Sequence, residues 1–355
     1  MELKKVDMDN LNEILLAAYK EGRLINVVTE KARENWDHLD VLVEELARLH
    51  NCGDIDLIAS FSTLKNNTDS NPDFFSARYL LEKSLSKLDA PVEKVMECVI
   101  NLLKEAGQDL AAGTILSPFV DFCANNHSRS EEAITLIEKF PGKYFDLLPQ
   151  VIIAGARLDI ELYLDEAIRF ANHADIELRR RSVFSLGRIE HLDKSDLINK
   201  AISCLESSVI READDRLLGG LIDSASNLLK HSNMYTERIT NIINLALTKG
   251  NDLTFHAGAA LFGFKVKEMP AVLLDCLLTH LLRIKPENKG SIKYLDYGLA
   301  SLTEQGSLKG LDFLENLVLS NSEQLSIDVF EGTMRELFKN QDNILNQLMT
   351  RWFIK

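Results

Sequence analysis

Apolar and polar residues recur along the chain at the spacing of α-helices. Leucine, alanine, glutamate and lysine return every three or four residues, whereas runs in which valine, threonine or isoleucine alternate with polar residues are scarce. The first spacing places apolar side chains on one side of a helix, and the second would indicate half-buried strands. We therefore predict an all-α protein.

The predicted helices come in pairs, and the second helix of each pair recurs at a regular distance. These second helices begin near residues 175, 214, 252, 290 and 326, each after another amphipathic helix and a short polar turn. A small residue occupies one equivalent position in them, with successive intervals of 38, 39, 39 and 34 residues: Ser182, Gly220, Ala259, Gly298 and Gly332. We expect the second helices to approach one another most closely at these positions.

This period is typical of an α-solenoid, in which helical hairpins bury their apolar faces on their neighbours. Segments near residues 74, 109 and 144 fit the same scheme with looser spacing. The prediction is a right-handed solenoid of helical hairpins over residues 51–355, with about seven or eight repeats. Residues 1–50 are predicted to form an N-terminal helical cap.

The stretch DIELRRRSVFSLGRI, residues 175–189, resembles the second helix of the HEAT-repeat family. That helix commonly reads D-x-x-V-R-x-x-A-x-x-A-L-G, and the matching residues here are Asp175, Leu178, Arg179, Ser182, Ser185, Leu186 and Gly187. In the family, the aspartate and arginine form hydrogen bonds between adjacent repeats. The resemblance thus implies a structural ladder role for Asp175 and Arg179. The second helices near 214, 252 and 290 keep the period but lack the arginine.

Helical spacing gives an independent expectation for the arginines of this stretch. Counted from Ile176, Arg179 lies within the apolar arc of the helix, whereas Arg181 and Arg188 lie near the opposite side. Neighbouring carboxylates offset the outward arginines, so a solvated helix face is expected there.

A second resemblance covers only about twenty residues near the N-terminus. Residues 14–36, ILLAAYKEGRLINVVTEKARENW, resemble the closing part of effector-associated, death-like domains of bacterial conflict systems. The matching residues are Gly22, Arg23, Leu24, Ala32, Arg33 and Asn35. An ordinary pair of helices would have a similar sequence. The resemblance implies a setting in bacterial defence or signalling.

Charge and cysteine usage limit the classes of partner and compartment. The chain carries 54 acidic and 40 basic residues, a formal net charge of -14, which makes nucleic acid and anionic membranes unfavourable partners. Five widely spaced cysteines without a C-x-x-C pair fit a reducing compartment, so we predict a cytoplasmic protein. The most apolar segment, residues 147–156, is too short to span a bilayer, and no membrane partner is expected.

Sequence motifs of catalysis are missing. The chain contains no phosphate-binding G-x-x-x-x-G-K-[ST], no G-x-G-x-x-G, no H-E-x-x-H and no G-x-S-x-G. Cys204 and Cys276 stand among leucines on predicted helices and are expected to be inert core thiols. We therefore predict no catalytic residue, no metal and no cofactor.

The expected function is a non-enzymatic protein-binding scaffold or regulatory adaptor, because a solenoid presents a long surface of second helices. The candidate partner-binding residues are Arg181, Arg188, Asp223, Asn227, Lys293, Tyr297 and Arg335. The alternative is a nucleic-acid-binding HEAT protein related to alkylpurine DNA glycosylases. The C-terminal segment NILNQLMTRWFIK either packs inward as the last helix or is covered by a further domain or subunit.

Overall fold

The computed structural model describes residues 8–34, 36–66, 74–191, 194–231 and 233–340, together with Asn346 and Thr350. All regular secondary structure within these ranges is helical, which confirms the prediction of an all-α protein. The chain forms two compact units, Met1–Glu166 and Ala167–Lys355, here called unit 1 and unit 2. The division of a cap, residues 1–50, from a repeat array, residues 51–355, stays a prediction.

Unit 1 consists mainly of helices of 4 to 15 residues. They are α1 (Met8–Lys20), α2 (Leu24–Glu34), α3 (Leu39–Asn51), α4 (Leu57–Ser62), α5 (Phe74–Ser84), α6 (Val92–Ala106), α7 (Leu116–Ala124), α8 (His127–Lys139), α9 (Pro141–Tyr144) and α10 (Leu148–Ala156). The next helix, α11 (Ile160–Ala171), contains the boundary between the units. Within unit 1, α5 packs on α7 and α7 on α10, while α4 packs on α6 and α6 on α8. Alternate helices are therefore neighbours.

Unit 2 continues with helices of 10 to 17 residues. They are α12 (Ile176–Leu186), α13 (Ser195–Arg211), α14 (Asp215–Leu228), α15 (Thr236–Lys249), α16 (Asp252–Lys265), α17 (Ala271–Leu281), α18 (Lys289–Glu304), α19 (Leu308–Ser320) and α20 (Glu331–Asn340). The predicted second helices correspond to α12, α14, α16, α18 and α20. The predicted C-terminal helix, with Trp352, lies outside the described residues.

The second helices of unit 2 form a row in which each packs on the next: α12 on α14, α14 on α16, α16 on α18 and α18 on α20. A second row contains α13, α15 and α17, and helices of the two rows pack on each other within hairpins. Fully buried apolar side chains such as Leu221, Ile243 and Leu299 lie on these helices. The three- and four-residue spacing of the sequence thus supplies the apolar stripe that each helix buries.

Two second helices begin at aspartates that cap their own free N–H groups. Asp175 Oδ1 accepts a hydrogen bond from the N–H of Glu177 (2.7 Å) at the start of α12. Asp214 Oδ1 accepts one from the N–H of Leu217 (2.9 Å) at the start of α14. Such a cap stabilises a helix by about 1 kcal/mol, which explains why both helices start where they do.

The predicted positions of closest approach are partly wrong. Gly220 has no atom of another residue within 4 Å of where a Cβ would stand, so it faces open space. The close contacts lie elsewhere: a Cβ at Gly187 would stand 2.5 Å from Ser224 Cα, and one at Gly263 would stand 2.7 Å from Tyr294 O. At Gly298 the prediction holds, because a Cβ there would overlap the Phe262 ring.

No helix within the described ranges combines the length and apolarity needed to cross a bilayer.

The N-terminal G-R-L sequence forms the turn between α1 and α2. Gly22 has a φ of 69°, a left-handed conformation that favours glycine, and Leu24 is buried at the start of α2. These residues therefore have a structural role as a helix-to-helix turn. Asn35, the last residue of the N-terminal resemblance, lies outside the described residues.

Candidate protein-binding surface

The arginine-rich stretch connects α12 to the hairpin that follows it. Arg179 Nε lies 2.9 Å from Glu212 Oε1, and Glu212 is almost completely buried. Arg180 forms a bidentate ion pair with Asp214, in which Nε donates to Oδ1 (2.9 Å) and an Nη donates to Oδ2 (2.7 Å). Both arginines therefore meet carboxylates just before α14, and these contacts hold successive second helices together.

Asp175 does not share this bridging role. Among the described residues, its side chain accepts hydrogen bonds from the first turn of its own helix, at Glu177 and Leu178. Arg179, in contrast, also donates to the main-chain carbonyls of His173 (3.0 Å) and Ala174 (2.8 Å). Arg179 thus contacts the following hairpin and Asp175 caps its own helix, and the ladder role of the two residues stays a prediction.

The connections between second helices continue without arginine. Asp215, on α14, accepts hydrogen bonds from the N–H of Asn251 (2.6 Å) and of Leu253 (2.9 Å) at the start of α16. Asp296, on α18, accepts them from the N–H of Gly332 (2.9 Å) and of Thr333 (2.8 Å) at the start of α20. A carboxylate on one second helix thus caps the free N–H groups of the next.

The remaining step, from α16 to α18, uses a neutral pair. His256 Nδ1 and Ser291 Oγ are 3.0 Å apart, and Ser291 lies in the first turn of α18. Every neighbouring pair in the row of second helices is therefore joined by a polar contact near the start of the later helix. Sequence analysis missed these residues because their types differ from step to step. The adjacent aspartates 214 and 215 were the one available signal.

Two predicted partner-binding residues contact each other. Arg188 donates to Asp223 Oδ2 (2.7 Å), which joins the end of α12 to α14. The Arg188 guanidinium also lies 3.3 Å from the centroid of the Phe184 ring. A third predicted residue, Asn227 on α14, accepts a hydrogen bond from Lys265 Nζ (2.9 Å) at the end of α16. These polar contacts continue across three second helices.

An aromatic cluster extends the same surface onto α18. The rings of Phe264 and Tyr294 are 5.1 Å apart, and those of Tyr294 and Tyr297 are 6.5 Å apart. Lys293 Nζ lies 5.8 Å from the centroid of the Tyr297 ring, at the outer limit of a cation–π contact. Phe264 is 68% exposed and Tyr297 is 42% exposed. Two predicted residues, Lys293 and Tyr297, thus belong to the cluster.

We name this continuous surface the binding strip. It consists of Phe184, Arg188, Asp223, Asn227, Phe264, Lys265, Lys293, Tyr294 and Tyr297. The other two predicted residues lie on the same row of helices: Arg181 is half-buried on α12, and Arg335 is exposed on α20. Sequence analysis missed Phe264 and Tyr294, although the spacing of Tyr294 and Tyr297 places them on neighbouring positions of one helix surface.

The cysteine thiols are poorly suited to nucleophilic chemistry. Burial raises the pKa of Cys204 to about 11 and also raises the pKa of Cys276, so both thiols stay protonated near neutral pH. All five cysteines are unpaired with one another. Within the described ranges, no three histidine, cysteine, aspartate or glutamate side chains come together as a metal site would require.

The fold and the strip define an all-helical protein with a row of second helices that carries an aromatic and charged surface. A comparison with protein-family models found no match, and a comparison with curated proteins found none either. The HEAT-repeat relationship therefore stays a prediction that depends on residues 175–189.

Proposed function

We propose that the chain is a cytoplasmic, non-enzymatic scaffold or regulatory adaptor that binds another protein along its second helices. In this proposal the helices form a right-handed solenoid of HEAT-like hairpins, with about seven or eight repeats. The row of second helices and the polar contacts at their starts support this architecture. A surface of this kind suits a peptide segment or a helix of a partner protein.

The exposed aromatic cluster of the binding strip carries the proposal. Aromatic residues and arginine are enriched in protein interfaces and supply most of the affinity, because they bury large areas with few rotatable bonds. Phe264 and Tyr297 are exposed in a contiguous group, beside cations and a carboxylate of the same strip. The mixed charge of the strip favours a protein partner over a uniformly charged polymer.

The test compares capture of partners by three forms of the full chain. Wild type, the double variant Phe264→Ala/Tyr297→Ala and the control Leu308→Ala would each be used for affinity capture from the host, followed by mass spectrometry. Leu308 is a matched control because it is 57% exposed but lies on α19, which is not one of the second helices. We expect the double variant to lose specific partners that wild type and the control retain. Equal capture by all three forms would disprove the role of the strip.

The nucleic-acid alternative has one observation in its favour. Exposed aromatic rings next to Lys293 are the residue types on which single-stranded bases stack. The net charge of -14 opposes it, because phosphate contacts depend on a basic surface. A filter-binding titration with a single-stranded oligonucleotide at low ionic strength distinguishes the two functions. We expect no retention, and salt-sensitive retention would favour the alternative.

We also propose a setting in a bacterial defence or signalling assembly, on the N-terminal resemblance alone. The turn at Gly22 is compatible with an ordinary helix pair as well as with a death-like domain. The genes that flank the coding sequence provide the test. Neighbouring effector or nuclease genes would support this setting, and an unrelated neighbourhood would remove it.

A further inference from the structure

A cavity of about 200 Å³ opens next to the binding strip, where α14 and α16 end and α17 begins. Its floor is apolar: Leu261 and Leu273 are buried, and Leu229 and Met269 complete the apolar lining. The volume is below the roughly 300–1,000 Å³ of pockets for drug-sized ligands. The space therefore suits one small apolar group, of the size of a single large side chain.

Two lysines line the cavity above this apolar floor. Lys265 Nζ donates to Asn227 Oδ1 (2.9 Å), a neutral acceptor, and within the described part of the chain it forms no ion pair. Lys230 likewise has no ion pair among the described residues. An ammonium group has three donors, so both lysines keep donors for a ligand.

The electrostatic environment leaves a local excess of positive charge in an acidic protein. Desolvation lowers the pKa of Lys265, and although Asp223 opposes this effect, Arg188 and Lys230 add to the lowering. Asp223 is already paired with Arg188. Glu268 is the one carboxylate among the described lining residues, and it also opposes the lowering of the Lys265 pKa, so one carboxylate lines the cavity with two ammonium groups. An anion at this position would stabilise the charged form of Lys265.

The ends of two helices lie beside the cavity, and an anion can bind there only because the two lysines attract it. Lys265 is the last residue of α16, and Lys230 follows the end of α14. Helix C-termini carry negative partial charge, which stabilises cations and repels carboxylates. If either lysine were replaced by a neutral residue, the cavity would become less favourable for an anion, while its apolar floor would be unchanged.

We propose that this cavity binds a small apolar carboxylate, whose apolar group contacts Leu261 and Leu273 and whose carboxylate bonds to Lys265 and Lys230. Two sources supply this chemistry: a short fatty acid, or the C-terminal residue of a peptide with a leucine-like side chain. Charge-assisted hydrogen bonds to the carboxylate provide the discrimination against neutral molecules of the same shape. The site does not depend on the proposed scaffold function.

The experiment is isothermal titration of the full chain with four probes. Octanoate and N-acetyl-leucine represent the two sources, and 1-octanol and N-acetyl-leucinamide are their neutral counterparts. We expect at least one carboxylate to bind with one-to-one stoichiometry and its neutral counterpart to bind at least about tenfold more weakly. Binding of octanoate alone would indicate a fatty acid, and binding of N-acetyl-leucine would indicate a peptide end.

Charge-removing variants locate the site. Lys265→Met and Lys230→Met should each weaken binding of the carboxylate probe by about tenfold or more. Lys267→Met is the matched control, because Lys267 lies two residues from Lys265 but pairs with Glu304 (2.8 Å) and does not line the cavity. The control should bind as wild type does. The proposal is overturned if neither carboxylate binds more tightly than about 10 mM, or if all three variants bind equally.

Discussion

One connection in unit 1 and two connections in unit 2 hold successive helices together with opposite polar chemistry. In unit 1, Arg78 of α5 is 2% exposed and donates to the carbonyls of Ala111 and Ala112 and to Thr114 Oγ1, just before α7. In unit 2, Asp215 and Asp296 instead accept hydrogen bonds from the N–H groups that start the next second helix. The side-chain donor thus satisfies carbonyls before α7, whereas the two carboxylates satisfy N–H groups at the starts of α16 and α20.

The difference shows that one architectural task can be performed by unlike residues. The stretch 175–189 is recognisable because it uses arginines, at Arg179 and Arg180, to reach the next hairpin. The later steps use Asp215, His256 and Asp296 for the equivalent connection. A pattern that requires one residue type at one position therefore recognises one step and overlooks the others.

Removing the arginine of unit 1 should have the largest effect. Arg78→Met would leave Glu82, which lies 3.0 Å from Arg78 Nε, without its buried partner, along with the carbonyls of the loop before α7. Because breaking a buried ion pair from one side leaves a charge uncompensated, we expect a loss of about 4 kcal/mol in unfolding free energy. Denaturant unfolding measures it, and hydrogen exchange should increase in residues 109–114.

The matched control for Arg78 is Arg23→Met. Arg23 pairs with Glu21 at the surface, where its side chain is 61% exposed. An exposed ion pair contributes little to stability, so the change in unfolding free energy should stay within about 0.5 kcal/mol. Similar losses of unfolding free energy in Arg78→Met and Arg23→Met would contradict a stabilising role for the buried contacts of Arg78.

Removing the carboxylate of unit 2 should have the next largest effect. Asp296→Ala would leave the buried N–H groups of Gly332 and Thr333 without an acceptor, and we expect a loss of about 3 kcal/mol. Hydrogen exchange should increase selectively in α20. Asp275→Ala is the control, because Asp275 is 56% exposed and pairs with the equally exposed Lys309. Unchanged exchange in α20 would show that Asp296 does not secure this helix.

Acid should weaken the connection from α14 to α16. Desolvation opposes ionisation of Asp215, but hydrogen bonds from the Thr254 hydroxyl and from the N–H groups of Asn251 and Leu253 outweigh it, and its pKa falls below the ordinary 3.8. The folded-state pKa is thus below the unfolded one. The stabilisation is complete above pH 3.8 and is lost as pH falls through the folded-state value.

Urea unfolding between about pH 5 and pH 2 measures this dependence. Asp215→Asn should be less stable than wild type at the upper end of this range and should lose less stability as pH falls. The loss at the upper end should be about 1 kcal/mol, because only hydrogen bonds to a partly exposed carboxylate are weakened. An identical pH profile for both proteins would contradict the role of Asp215.

The smallest stability effect should come from the binding strip. Phe264→Ala/Tyr297→Ala removes exposed rings, so we expect a change within about 0.5 kcal/mol for each position. Thermal unfolding provides the measurement. A large loss of stability would mean that the cluster holds α16 and α18 together and is not reserved for a partner.

The sequence predicted the helical class, the second helices and part of the strip. Helical spacing placed Arg179 in the apolar arc, where it meets buried Glu212, because side-chain direction follows from the helix alone. It placed Arg188 on a solvated face, but the Arg188 side chain is half-buried. It could not reveal that Arg188 pairs with Asp223, since that contact depends on how α12 and α14 pack. The prediction of a close approach at Gly220 was wrong for the same reason. The spacing of the second helices is correct, but the close approaches lie at Gly187 and Gly263.

The central claim is that a partner protein contacts the aromatic cluster of the strip. Photoreactive benzoylphenylalanine can replace Phe264 in one form of the chain and Leu308 in another, and each is irradiated in host extract. We expect the partner to cross-link to position 264 and not to position 308. Cross-linking at position 308 alone, or of the same proteins at both positions, would contradict it.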